Sequence, residues 1–227
     1  MRIDIITLFP DMCESVLGES IIGRARKNGC IEIYFHQLRD YAFDKHKRAD
    51  DAPYGGGMGM VLMAEPIALS IEALIKELGE KPYVVYMSPA GKLLNQKILN
   101  GLSEIKNICI LCGHYEGVDQ RVIEAFVDDE ISIGDYVLTG GELPALVFTD
   151  ALCRLVPGVL SEKACFTQES HYSGLLEHPQ YTRPNPWREK YVPEVLLSGH
   201  HRNIEKWKQE ESLSLTVKRR PDLLIKD

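Results

Sequence analysis

The segment from Ile133 to Pro144, IGDYVLTGGELP, constrains the fold of this chain more than any other stretch. It places a glycine after a β-branched run, then an aromatic residue, a Gly-Gly pair and a proline near the start of a helix. Upstream, the segment GHYEG (113–117) ends the apolar run from Ile108 to Cys112. Glycine has no Cβ and lets the main chain approach a ligand closely. Two glycine-rich strand ends favour a single ligand cradle, although two ordinary tight turns have the same pattern.

Apolar residues recur along the first two thirds of the chain with the period of strands and of helices in turn. The pattern predicts strands at residues 2–9, 30–38, 82–87, 107–112 and 131–133. It predicts helices at residues 12–28, 66–78, 95–105, 118–127 and 141–156. Alternating strands and helices are typical of an α/β domain around a mostly parallel sheet, and periodicity alone favours an unknotted, doubly wound topology.

The alternating pattern stops at Pro157. Residues 161–173 are polar and have neither period, which predicts a flexible linker. Short helical patterns follow at residues 195–197, 201–211 and 213–219. The predicted organisation is a first domain over residues 1–160, the linker, and a small helical domain over residues 174–227.

The composition indicates a globular protein. Of the 227 residues, 44% are hydrophobic, which is enough for a proper core. No apolar run approaches the roughly 20 residues that a membrane helix needs, and the N-terminal RIDIITLFPD is interrupted too early to be a signal peptide. We therefore expect a cytoplasmic protein with no membrane partner.

The six cysteines are expected to be reduced thiols, because the sequence has no secretion signal. Cys109 and Cys112 form a CxxC pair within a predicted strand, where residues three apart face opposite sides. No second Cys or His pair lies at zinc spacing. Both thiols are therefore interpreted as core residues, and no metal site is predicted.

The net charge of −7, taken alone, argues against nucleic-acid binding. Its distribution tempers that conclusion, because residues 181–227 carry 10 Lys and Arg against 7 Asp and Glu. Residues 24–48 form a second basic island, with seven Lys and Arg and three acids. An RNA partner is therefore compatible with the charge pattern.

The common motifs for nucleotide, hydrolase and zinc-protease sites are missing. The sequence contains no G-x-G-x-x-G between a strand and a helix, no P-loop, no G-x-S-x-G and no HExxH. A cradle of main-chain N–H and C=O groups suits a flat adenine, since such groups can read the edge of a base.

Nine ordered motifs span nearly the whole chain: RIDIITLFPDM, RADDAPYGGGMGMVL, YMSPAGKLL, GHYEGVDQR, IGDYVLTGGELP, RLVPGVL, GLLEHPQYTRP, VPEVLLSGHH and RRPDLL. Together they resemble the bacterial tRNA (guanine-N1)-methyltransferases of the SPOUT superfamily. The resemblance implies a mostly parallel sheet with a deep trefoil knot in the first domain. It also implies a homodimer whose active site draws on both subunits.

The activity implied by the resemblance is methyl transfer from S-adenosylmethionine to N1 of the guanosine immediately 3′ of the anticodon in tRNA. Two alternatives stay open. One is another SPOUT-type methyltransferase that acts on rRNA or on a 2′-hydroxyl. The other is a non-catalytic RNA-binding protein that has kept the cradle.

By the resemblance, S-adenosylmethionine is bound by residues of three loops. Without the resemblance, Ile133, Leu138 and Pro144 would be read as core or helix-start residues, whereas Glu116 between two glycines is hard to explain as structure. The matching positions are Tyr86, Ser88, Pro89, Gly113, Tyr115, Glu116, Gly117, Ile133, Gly134, Asp135, Tyr136, Val137, Leu138, Gly140, Gly141 and Pro144.

The reaction needs a base for the N1 proton and a cation for the charge that develops on O6 of guanine. The resemblance assigns the cation to Arg154, whose guanidinium fork suits an oxygen, although helix C-termini also favour a surface arginine. It assigns the base to an aspartate where this chain has Glu169. His171 is the alternative base. The chemistry requires no metal, and Mg²⁺ near Glu116 is compatible with it.

The resemblance also implies an RNA surface. Arg48, Asp50, Tyr54 and the glycine run that ends at Gly59 match the loop that meets the flipped target base, and a plain flexible loop is the alternative. In the C-terminal part, Arg183, Arg219 and Arg220 match RNA contacts. Trp187 and Trp207 add aromatic rings, although Trp207 equally suits a core.

Overall fold

The computed structural model describes residues 1–161 and 169–225 of the chain. It divides into two compact units, Met1–Ser161 and Glu162–Asp227. Most of the predicted linker, residues 162–168, lies outside the described residues.

The first unit is an α/β domain around a five-stranded parallel sheet, as predicted. The strand order is β2-β1-β6-β5-β7, and every neighbouring pair is parallel. The five strands are β1 (Arg2–Thr7), β2 (Glu32–Gln37), β5 (Tyr83–Leu93), β6 (Asn107–Cys112) and β7 (Asp129–Ser132). A separate antiparallel pair is formed by β3 (Asp50–Asp51) and β4 (Val61–Leu62).

Helices cover both faces of the sheet. The helices are α1 (Pro10–Leu17), α2 (Ser20–Lys27), α3 (Ala64–Leu78), α4 (Gln96–Leu102), α5 (Gln120–Phe126) and α6 (Glu142–Cys153), and a 3₁₀ turn spans Leu38–Tyr41. One hydrophobic cluster packs α1, α2, α4 and α6 against one face, and a second packs α3 and α5 against the other. Burial of both faces explains the continuous apolar runs of the central strands.

The prediction of a single helix over residues 12–28 was wrong, because the structure has two helices there, α1 and α2. The chain leaves the helix at Gly18 and re-enters at Ser20, which has a positive φ of 55°. The amide of Gly23 donates to the carbonyl of Glu19 at 2.8 Å and restarts the helical bonding. A glycine that interrupts an amphipathic pattern was the only sequence sign of this turn.

Strand β5 is longer than predicted and continues to Leu93 instead of ending at Met87. Met87 and Lys92 both pair with Ile131 of β7, so the residues between them form a bulge. The bulge accommodates Pro89, which cannot donate to a strand ladder. Pro89 and Gly91 are typical of the end of a strand, and the strand was predicted to end at Met87. The strand in fact continues past both residues, and only its pairing with β7 is interrupted.

The described part of the second unit contains one short helix, one long helix and irregular chain. Its helices are α7 (Glu194–Leu197) and α8 (His201–Arg219), and a 3₁₀ turn follows at Pro221–Leu224. Two separate helices were predicted where α8 is continuous. Thr216 is fully buried, and its hydroxyl donates to the carbonyl of Ser212 and accepts from the amide of Leu176, which fixes the helix at the predicted break.

None of the described helices is long and apolar enough to cross a membrane.

Candidate functional site

A pocket of about 420 Å³ lies where strands β6 and β7 end. Three chain segments supply most of its lining: residues 86–90 of β5, residues 113–118 after β6, and most of residues 130–144 around the start of α6. Gln120 and Ile123 of α5 complete it. Ligands of open parallel α/β sheets bind at the carboxyl ends of the strands. The volume lies in the range of small-molecule and cofactor sites. The pocket is therefore the leading candidate site of the first unit.

The structure brings together the residues that the resemblance assigned to the methyl donor. Fifteen of the sixteen positions line the pocket, and Asp135 is the one that does not. Asp135 is exposed in the turn between Gly134 and Tyr136. Gly134 and Tyr136, its neighbours on either side, do line the pocket. The sequence alone could not show which of these adjacent residues face the pocket.

Main chain crosses main chain at the base of the pocket. The amide of Gly141 donates to the carbonyl of Gly113 at 2.7 Å. A Cβ atom on Gly141 would lie 2.7 Å from the amide nitrogen of Gly113 and 2.8 Å from Cα of Cys112. This glycine therefore lets α6 begin directly on the end of β6. The glycine-rich segments do build one pocket, but here the glycine makes room for another part of the chain rather than for a ligand.

The start of α6 is also held from β1. Thr7 donates from Oγ1 to Oε1 of Glu142 at 2.7 Å, and both side chains are buried. The amide of Phe9 donates to the same Thr7 hydroxyl at 3.0 Å. Glu142 is the first residue of α6, where the helix dipole favours a negative charge. This buried pair fixes the third pocket segment to the central sheet.

The pocket is acidic. Glu116 and Glu130 line it, and there is no Lys or Arg among the described lining residues. Burial raises the pKa of the Tyr86 phenol above its usual value, and the negative charge of Glu130 adds to this effect. Tyr86 therefore stays a neutral hydroxyl group near neutral pH. Two carboxylates without a compensating cation favour a positively charged ligand and disfavour phosphates.

His114 is a lining residue that sequence reasoning missed. Its ring packs edge-on against Tyr115 at 4.6 Å and lies 5.3 Å from the ring of Phe9. Its Nδ1 atom is buried and has no hydrogen-bond partner among the described residues. A Cβ atom on Gly140 would lie 2.8 Å from that nitrogen. The only sequence sign was its position between Gly113 and Tyr115.

The proposed catalytic residues come from both units. Arg154 is the C-cap residue of α6 and is half-buried. Glu169 is half-buried at the start of the described second unit, and His171 is exposed with a positive φ of 73°. Since these residues belong to different units, their roles stay predictions.

The predicted RNA residues of the first unit lie around β3. Arg48 is exposed, and its Nε donates to Oδ2 of Asp44 at 2.6 Å, so its charge is partly neutralised. Asp50 lies in β3, and Arg48 and Asp50 line a second pocket of about 290 Å³. Tyr54 is fully exposed, and Gly59 has a positive φ of 91°.

In the second unit, the predicted RNA arginines are exposed. Arg219 is the last residue of α8, and Arg183 precedes a proline in an irregular segment. Arg220 forms an ion pair of 2.6 Å with Asp222 and holds the pKa of that carboxyl below its usual value. Trp187 is half-exposed with Arg188 over its ring, whereas Trp207 lies 6.0 Å from the ring of His178.

The interpretation of the CxxC pair as core residues is confirmed. Cys109 and Cys112 are buried in the two hydrophobic clusters on opposite faces of the sheet. Their thiols therefore point away from each other. Burial raises the pKa of both thiols well above the usual value.

Comparison with known proteins gives one consistent family. A family model described as tRNA (Guanine-1)-methyltransferase TrmD matches residues 1–226. The tRNA (guanine-N(1)-)-methyltransferase of Ruminiclostridium cellulolyticum is 55% identical over 226 residues, which cover 100% of this chain and 97% of the relative. That of Alkaliphilus oremlandii is 54% identical over 229 residues, covering 99% of this chain and 92% of the relative.

A solved structure has the same fold. The crystal structure of tRNA (m1G37) methyltransferase from Aquifex aeolicus matches with a TM-score of 0.80 at 43% sequence identity. The match covers 99% of this chain and 94% of that one.

Proposed function

Because the chain belongs to the tRNA (guanine-1)-methyltransferase family, we propose that it transfers a methyl group from S-adenosylmethionine to N1 of the guanosine immediately 3′ of the anticodon in tRNA. The observation that carries the proposal is the full-length match to relatives of this activity, combined with an acidic pocket at the predicted donor-binding positions.

The charge of the pocket supports S-adenosylmethionine as the ligand. The donor carries a positive sulfonium centre, which two carboxylates stabilise electrostatically. Glu116 and Glu130 provide these carboxylates, and the neutral hydroxyl of Tyr86 leaves their charge intact. A cofactor with several phosphates would instead need cationic side chains, and the described lining residues include no Lys or Arg.

The chain's own residues supply the rest of the chemistry. The N1 proton of guanine must leave before or as the methyl group arrives, and the negative charge then spreads to O6. We assign the base to Glu169 and the stabilisation of O6 to Arg154, on the family pattern. A carboxylate accepts the proton, and a guanidinium donates two parallel N–H groups to an oxygen centre.

We also propose a knotted first unit and a homodimer. Two adjacent helices expose apolar stripes at i, i+4 spacing: Met12 and Val16 on α1, and Leu143 and Val147 on α6. Between 40% and 54% of each of these side chains is exposed. A second copy of the chain would cover this surface, as contiguous exposed apolar patches often mark interfaces.

Mg²⁺ and the cellular location stay proposals. The described residues contain no group of three or more His, Cys, Asp or Glu side chains that could hold a metal. Mg²⁺ is usually held by one or two carboxylates together with oxygens of the substrate and water, a pattern that Glu116 alone can satisfy. We propose a cytoplasmic location, which suits the five described cysteines, all of them free thiols.

The experiment that tests the function is methyl transfer to bulk tRNA with labelled S-adenosylmethionine, followed by nucleoside analysis. We expect 1-methylguanosine as the product. Label on a ribose hydroxyl or on rRNA instead would favour a different RNA methyltransferase. Tight tRNA binding without any transfer would favour a non-catalytic RNA-binding protein.

Single-turnover kinetics test the base. Glu169→Gln removes the carboxylate and keeps the size, so we expect it to lose most of the transfer rate while S-adenosylmethionine binding is spared. Glu169→Asp keeps a carboxylate and should retain substantial activity. If Glu169→Gln reacts at the parent rate and His171→Ala does not, His171 is the base.

A further inference from the structure

The glycine-rich segment, defined here as residues 55–60, ends on the loop that lines the pocket. The amide of Glu116 donates to the carbonyl of Met60 at 3.0 Å. Next to it, the amide of Leu62 donates to the carbonyl of Gly117 at 2.9 Å. These main-chain bonds fix the end of the glycine-rich segment to the pocket loop.

Gly59 contacts the side chain of Glu116. A Cβ atom on Gly59 would lie 2.6 Å from both Cγ and Oε1 of Glu116, and 3.0 Å from its Cδ. Non-bonded carbon atoms prefer separations of about 3.5–4.0 Å, so there is no room for a methyl group. Glu116 lines the pocket, whereas Gly59 does not.

Any added atom at Gly59 would displace Glu116 before it displaced the backbone. The Glu116 side chain is exposed and can rotate, while the two hydrogen bonds join the main chain that follows Gly59 to the main chain of Glu116 and Gly117. Rotation would move the carboxylate out of its present place in the pocket. Donor affinity should therefore respond to a residue that does not touch the donor.

We propose that Gly59 is a positioning residue that holds the Glu116 carboxylate in the donor pocket. This inference rests on the proposed function, because it takes the pocket as the site of S-adenosylmethionine. The glycine-rich segment, which family resemblance assigns to the target base, then also forms a support of the donor site. Since coupling between two sites is reciprocal, occupation of the pocket stabilises this segment in turn.

The test compares Gly59→Ala with Gly55→Ala in the full chain. Both glycines have a positive φ, 91° and 86°, so each alanine introduces similar backbone strain. A Cβ on Gly55 would meet no described atom within 4 Å. Binding of S-adenosylmethionine is measured by calorimetry. We expect Gly59→Ala to weaken it about tenfold, as for coupled residues in contact, and Gly55→Ala to change it less than about twofold.

A second background identifies the contact. Glu116→Ala removes Cγ, Cδ and Oε1, the three atoms that the new methyl group would meet. In this background, Gly59→Ala should cause no further loss of donor affinity. Melting temperatures of Gly59→Ala and Gly55→Ala should fall equally, because the backbone strain is shared. If Glu116→Ala binds the donor too weakly to measure, the contrast between Gly59→Ala and Gly55→Ala decides alone.

The outcomes separate the two levels of the proposal. A parent chain that binds no S-adenosylmethionine would overturn the proposed function and this inference with it. A parent that binds, with equal losses for Gly59→Ala and Gly55→Ala, would overturn the inference alone. So would a loss from Gly59→Ala that persists unchanged in the Glu116→Ala background.

Discussion

The hydroxyl of Thr7 should contribute strongly to the stability of the fold, because it donates a hydrogen bond to the buried carboxylate of Glu142. It donates to Oε1 of Glu142 at 2.7 Å and accepts from the amide of Phe9 at 3.0 Å. Thr7→Val keeps the shape and removes both bonds. A hydrogen bond to a charged group is worth about 1.5–3 kcal/mol, so we expect Thr7→Val to lower the free energy of unfolding by about 2–3 kcal/mol.

Thr149 is the matched control. It is fully buried, like Thr7, but its hydroxyl has no hydrogen-bond partner among the described residues. Removal of an unsatisfied buried hydroxyl is neutral or favourable, so Thr149→Val should leave stability unchanged or raise it by about 1 kcal/mol. The two variants make the same chemical change in the same domain.

Urea unfolding monitored by circular dichroism measures both variants at equal protein concentration. For a chain of this size 1 kcal/mol corresponds to about 2–4 °C, so the melting temperature of Thr7→Val should fall by about 4–12 °C. Equal effects of Thr7→Val and Thr149→Val would refute the reasoning. The reasoning would also fail if Thr7→Val had the same urea midpoint as the parent and the same dependence of unfolding free energy on urea concentration. The Glu142 carboxylate would then need no hydrogen bond from Thr7.

Three further predictions follow from single contacts. Gly91→Ala should destabilise by about 1–3 kcal/mol in urea unfolding, because its Cβ would lie 2.4 Å from the backbone of β7; Gly101→Ala, in open space within α4, should stabilise slightly. Asp119 is the N-cap residue of α5, and its hydrogen-bonded ion pair with Arg121 lowers its pKa to about 2. Asp119→Ala should lower the free energy of unfolding by about 1 kcal/mol near neutral pH. In unfolding measurements this difference from the parent should disappear as the pH falls from about 4 to 2, because the carboxylate is then protonated. Among the described cysteines, mass spectrometry after alkylation should find Cys30 modified before the four buried ones, Cys13, Cys109, Cys112 and Cys153; modification of any of these four before Cys30 would contradict the burial.

The pattern of local residues was sufficient for the type and order of the five strands of the main sheet and of helices α3 to α6, whereas the division between α1 and α2 and the β3–β4 pair were not predicted. Strand β6 was predicted with its observed bounds, Asn107–Cys112, because a buried central strand is a continuous apolar run. The pocket residues could be grouped because parallel strands share a carboxyl edge. The prediction failed where tertiary contacts decide, as at the continuation of α8 through Ser212, where packing on Thr216 overrides a weak local break.

Contacts between distant segments could not be read from the sequence. Thr7 and Glu142 are 135 positions apart, and nothing in either local pattern indicates that the two side chains are bonded. The same holds for Gly59 and Glu116, which lie in different motifs. The motif resemblance assigned Gly59 to RNA binding and Glu116 to donor binding. Their contact is the reason for the proposal that the two binding sites influence each other.

The glycines around the pocket divide into two physical classes. At Gly91 and Gly141 the atoms nearest to an added Cβ are main-chain atoms of another segment, at 2.4 Å and 2.7 Å. At Gly113 and Gly140 the nearest atoms belong to the buried side chains of Tyr86 and Glu142. The first class marks places where two main-chain segments lie in direct contact: β5 against β7 at Gly91, and the start of α6 against the end of β6 at Gly141. Substitutions at Gly91 and Gly141 should therefore push main-chain segments apart and affect folding, whereas substitutions at Gly113 and Gly140 should first displace the side chains of Tyr86 and Glu142.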